Sequence, residues 1–114
     1  MKLSTVLRSL FLVVSMSFLV ACQTAEERAE QHFQNGVKLM NEGDVDRALV
    51  EFRNVFKLNG EHQEAREIYA RTVRDQGKYS EAYSQYLLLA EQNQENLDAR
   101  LNLAELALRF QNWE

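Results

Sequence analysis

An all-α fold is what this sequence predicts, and three observations predict it. Proline is absent from the 114 residues and glycine occurs only four times, which argues against a loop-rich or β-sandwich chain. Beyond residue 22 the dominant residues are Ala, Leu, Glu, Gln and Arg, all of which propagate helices well. The third observation is a recurrence. Set against itself at an offset of 34, the chain brings Gly36, Ala70 and Ala104 into one column, and Leu39, Val73 and Ala107 into another. Gly43 then matches Gly77, and Val45, Tyr79 and Trp113 share a column. Ala48 matches Ala82, Phe52 matches Tyr86, and Val55 matches Leu89. Small residues stand where two helices must touch, and large ones where a gap must be filled.

The first element is an N-terminal segment of a different kind. Lys2 and Arg8 precede the apolar stretch Leu10 to Phe18. That stretch is shorter than the roughly 20 apolar residues a spanning helix needs, and it matches a removable secretory segment. It closes on Leu19-Val20-Ala21-Cys22, whose cysteine is the only one in the chain. A disulfide within the chain is thereby excluded. A reactive thiol would need an activating base or cation nearby, and nothing local supplies one. The string resembles the lipobox of bacterial lipoproteins. The resemblance implies that the Cys22 thiol is diacylated, that the signal 1–21 is cut ahead of it, and that the new amino group is often acylated too. Two or three acyl chains, at ~0.8 kcal/mol per buried methylene, anchor a protein that does not span the bilayer. Gln23 follows the cysteine. In that family an Asp there commonly signals retention at the inner membrane, so the resemblance implies the outer membrane, facing the periplasm.

Residues 22–24 leave almost no linker before the first helix. Thr24-Ala25-Glu26-Glu27 is a capping-box pattern, with Thr24 as N-cap and Glu27 placed to reach back. The helix it opens should run from Ala25 to about Asn41 and break around Gly43. Asp44 can cap the second helix, and Asn59-Gly60 predicts a left-handed stop after Leu58. Positions 29, 36 and 39–40, then 48, 52 and 55, keep the three-and-four spacing of amphipathic helices. The next unit repeats this with 70 and 73, then 82, 86 and 89, broken at Gly77. Asn96 can cap a fifth helix over about 97–109. Each unit is a helical hairpin, and the third holds only its first helix and the turn. Leu103, Ala107, Phe110 and Trp113 would then lack their main partner, since stacked hairpins bury their apolar faces on neighbours. The expectation is the N-terminal part of a longer protein; the alternative is a short chain that completes itself by oligomerising.

These features resemble the tetratricopeptide repeat (TPR) family, a 34-residue helix–turn–helix with small residues at positions eight and twenty and aromatics near position twenty-four. The units start near 29, 63 and 97, the third incomplete, so the likeness covers residues 25–114 and implies a helical-hairpin solenoid. Two departures stand out. The family's large residue near position four is His32, Arg66 and Arg100 here, and its closing proline is Gly60 and Gln94. In the family the first helix of each hairpin lines a concave protein-binding surface at positions five, nine and twelve. Carried onto this sequence, these are Phe33, Val37 and Met40; Glu67, Arg71 and Arg74; and Leu101, Glu105 and Leu108. The spacing sets each trio on one helix face. The apolar trios have a plainer use in packing, and the middle one in a solvated Glu67–Arg71 pair. TPR modules that bind chaperone tails carry basic and amide residues where Phe33 and Val37 stand, so that function is rejected.

Removing residues 1–21 takes away two positive charges and no negative ones, so the net charge of −4 becomes −6 over 93 residues. No Lys/Arg cluster marks a nucleic-acid or anionic-membrane surface, so membrane attachment must come from lipid. His32 and His62, the only histidines, have no Cys or His nearby to complete a metal site. The carboxylates sit at helix-surface spacing, and no phosphate-cradling loop or nucleophile elbow is present. Neither catalysis, a metal, a cofactor nor a small-molecule substrate is expected. The reading is a lipid-anchored scaffold that binds protein partners in an envelope assembly, such as outer-membrane protein assembly or exopolysaccharide export. Its alternative is the recruitment module of a longer lipoprotein whose further part is an enzyme.

Overall fold

The computed structural model describes residues 23–111, and these form five helices with no strand among the described residues. They are α1 (Ala25–Asn41), α2 (Val45–Leu58), α3 (Gln63–Asp75), α4 (Tyr79–Gln92) and α5 (Leu97–Gln111). The signal segment 1–21, Cys22 and Trp113 lie outside the described residues. No helix among those described is long and apolar enough to cross a membrane.

Local chemistry opens most of these helices. Thr24 Oγ1 accepts from Glu27 N at 3.1 Å, and the Glu27 carboxylate accepts from Thr24 N at 3.0 Å. Two N–H groups that the first turn leaves unpaired are satisfied together. Asp44 accepts from Arg47 N, and Asn96 Oδ1 accepts from Ala99 N at 3.0 Å. The cap of α3 is a histidine: His62 Nδ1 accepts from Ala65 N at 3.2 Å, a role its sequence context did not suggest.

The turns differ from expectation at one point. Gly43 (φ 80°) and Gly77 (φ 77°) hold the left-handed conformation that ends α1 and α3, and they are the only glycines with positive φ. Gly60 is not left-handed. The chain leaves α2 through an extended Asn59 (φ −142°, ψ 93°), whose Oδ1 then accepts from Glu61 N at 3.0 Å. This side-chain turn reverses the backbone without a positive φ, so no left-handed stop is needed.

Successive helices pack on one another, α1 on α2, then α3 on α4 and α4 on α5, with α2 and α3 joining the first pair to the second. Ala48, Phe52 and Val55 of α2 and Ala82, Tyr86 and Leu89 of α4 are all buried. Phe52 lies so close over Gly36 that a Cβ there would stand 2.6 Å from the ring. Glycine at that point sets the approach of α1 to α2, and burying the ring contributes roughly 1.5–3 kcal/mol. Ala70 is buried in the corresponding place of α3, whereas Ala104 of α5 is exposed. Only Ala99 and Leu106 are buried on α5.

Candidate functional site

The nine residues drawn from the concave-surface pattern do not form one free face. Phe33 is 5% exposed, with its ring against Phe52 and 4.6 Å from the His62 ring. It is core, and it cannot line a groove. Val37 and Met40 are half-buried against the same cluster. The reason is that α1 shares this side with the α2–α3 connection, which drops His62 onto it.

The middle trio is engaged by α5. Asn96 Nδ2 donates to Glu67 Oε1 at 3.0 Å, so Glu67 is held by the α5 cap and not by Arg71. Arg74 donates to the Asn102 side chain and to Asp75 Oδ1. Burial pulls the Arg74 pKa down, but Tyr86, Asp75 and Glu105 outweigh it and hold it above the ordinary value. Arg71 is exposed. On α5, Leu101 and Leu108 are each 61% exposed, and Glu105 accepts from Arg109 at 3.3 Å. Of the nine residues, Arg71, Leu101, Glu105 and Leu108 are exposed, and Leu97 of α5 is exposed at 64%. The three exposed leucines share one face of α5 and make an apolar patch.

Two of the three polar residues at position four, His32 and Arg66, bridge to the following helix. His32 Nδ1 lies 2.6 Å from Glu51 Oε2, nineteen residues on. Arg66 Nη1 donates to Gln85 Oε1 at 2.5 Å, again nineteen residues on. The same two columns thus pair in both hairpins, linking the first helix to the second. Arg66 also donates to the Gly60 carbonyl at 2.6 Å and lies 4.4 Å over the Phe56 ring. It is 5% exposed, and burial pushes its pKa below the ordinary guanidinium value. What looked in the sequence like a lost large residue is a polar pair spanning the hairpin. Only the long-range pairing could reveal it, although the co-occurrence of His32 with Glu51 and Arg66 with Gln85 at one offset was a signal in principle.

Among the described residues no three His, Cys, Asp or Glu side chains gather where a metal could bind. No protein-family model matches the sequence, and no curated protein matches it.

Proposed function

We propose that this chain is a TPR-type hairpin stack, lipidated at Cys22 and sited at the periplasmic face of a membrane, the outer one from Gln23. It serves as a non-catalytic scaffold for protein partners in an envelope assembly. The observation that carries the repeat reading is the recurrence of side-chain contacts at one register: the Gly43 and Gly77 turns, and the His32–Glu51 and Arg66–Gln85 bridges. The binding surface is Arg71 with Leu97, Leu101 and Leu108. An exposed apolar helix face and an exposed guanidinium suit a segment that brings both apolar anchors and carboxylates, since Arg pairs with carboxylates bidentately and apolar anchors add burial.

Two measurements test this. Cys22→Ser should abolish palmitate labelling and leave an uncleaved precursor; normal processing of that variant would overturn the lipid anchor. Arg71→Glu with Leu101→Asp should reduce capture of cross-linked envelope partners while helicity by circular dichroism is kept. The control, Arg47→Glu with Lys57→Glu on α2, should leave capture unchanged. Equal loss from both pairs would overturn the assignment of this face.

A further inference from the structure

His62 lies in the connection that joins the first hairpin to the second, and its ring touches both. Nδ1 accepts from Ala65 N at 3.2 Å and so caps α3. A backbone N–H can only donate, which fixes the tautomer: Nδ1 keeps its lone pair and the ring proton sits on Nε2. Nε2 lies 3.6 Å from Glu30 Oε2 of α1, and the ring centre lies 4.6 Å from that of Phe33 on the same helix. The charges around this ring come from three elements. On α1, Glu26, Glu27 and Glu30 line the cleft that His62 borders, Glu27 being held by the Thr24 N–H. In the connection, Asn59 is neutral and Glu61 precedes the ring in sequence. On α3, Glu64 follows it, while Arg66 is turned to Gln85 and the Gly60 carbonyl. Among the described residues, α2 gives that cleft no titratable group.

Protonation would set two demands on this ring against each other. An imidazolium is drawn to the carboxylates of α1, yet both of its nitrogens are donors. It cannot accept from Ala65 N, and the first turn of α3 presents the positive end of its dipole to it. We propose that His62 is a proton-operated coupling between the two hairpins. Neutral, it caps α3 while resting on Phe33; protonated, it goes over to the Glu30 side and leaves α3 uncapped. The cap is complete at pH 8 and is lost as pH falls through the range in which imidazoles titrate, centred near ~6.5. His32 responds in the opposite sense, because its Nδ1 lies 2.6 Å from Glu51 Oε2 and a proton on that ring makes the pairing charge-assisted. Acid therefore keeps α1 on α2 while it frees the start of α3.

The test is nuclear magnetic resonance on the full isotope-labelled chain in detergent, titrated from about pH 8 to pH 5.5, where imidazoles titrate and most carboxylates stay ionised. The His62 ring signals should titrate within that interval, and the Ala65 amide shift should follow with the same midpoint. The hydrogen-exchange protection factor of Ala65, which corrects for the intrinsic rate at each pH, should fall about fivefold, the typical worth of one cap. His62→Asn supplies a cap that does not titrate, so Ala65 protection should stay constant across the interval. His32→Asn should leave the Ala65 response as it is in the unaltered chain. A His62 that stays neutral to the end of the titration would overturn the proposal. So would a protonated His62 beside an Ala65 amide that keeps its protection, or a response that persists in His62→Asn.

Discussion

Tyr69 ties three helices together through one hydroxyl. It is 2% exposed on α3, donates to the Glu81 carboxylate of α4, and accepts from Arg53 Nη1 of α2 at 3.4 Å. Burial raises its pKa first, and the hydrogen bond to Glu81 adds to that, while Arg53 opposes it. The folded state therefore keeps the phenol proton to higher pH than the unfolded chain, which releases it near ~10. The stabilisation is fully present below that value and is lost as pH rises through the raised folded value. Tyr69→Phe should cost about 1–2 kcal/mol at neutral pH, since the half-buried Glu81 carboxylate loses its donor and Arg53 loses an acceptor. It should also flatten part of the alkaline fall. Urea denaturation of both proteins from about pH 8 to pH 11 checks the two outcomes together, the remaining slope including Tyr86, which burial also raises.

The helices end by two different devices, and glycine substitutions distinguish them. Gly43 and Gly77 sit at φ 80° and 77° with no atom within 4 Å of the place a Cβ would take, so an added methyl meets only backbone strain. Gly43→Ala should therefore destabilise by about 1–2 kcal/mol. Gly60→Ala should be neutral or slightly stabilising, because its φ is not positive and the nearest atom, the Phe56 carbonyl oxygen, is 3.8 Å away. Thermal midpoints of the two variants check this. The sequence suggested a glycine stop at both kinds of junction. It was right within hairpins, where three residues reverse the chain, and wrong between them, where Asn59 makes a side-chain turn of its own. The cap formed by His62 was likewise hidden, because histidine is an uncommon cap and its ring is held by Phe33, a contact from another helix.

Stability across the described residues should be graded from helix to helix. The free energy of local opening follows the buried contacts each element makes. α5 meets α4 on one side, buries only Ala99 and Leu106, and exposes Leu97, Leu101, Leu108 and Phe110. Hydrogen exchange should accordingly be fastest in α5 and slowest in α2 and α3, whose Val55, Ala65 and Val73 are fully covered. Uniform protection across all five helices would contradict the graded picture. Three exposed leucines on a surface helix are also the kind of patch that marks interaction sites, which links the least protected element to the proposed binding surface.

The extents of α1 and α2, the Thr24–Glu27 capping box, the Asp44 and Asn96 caps and the Gly43 and Gly77 turns were legible from the sequence alone. Each is decided by hydrogen bonds and steric limits within about four residues of chain, where composition and order carry all the information. The columns of small and large residues were legible for the first two hairpins, where Ala48 and Ala82, Phe52 and Tyr86, and Val55 and Leu89 are buried, but not for Ala104, which is exposed. The occupants of the concave face were not legible. Whether Phe33 faces a partner or the core depends on where the α2–α3 connection brings His62, and whether Glu67 is free depends on Asn96, twenty-nine residues away. The polar bridges of His32 and Arg66 belong to the same class. Such pairings are settled by how helices are placed against one another, and that placement is a property of the packed tertiary structure.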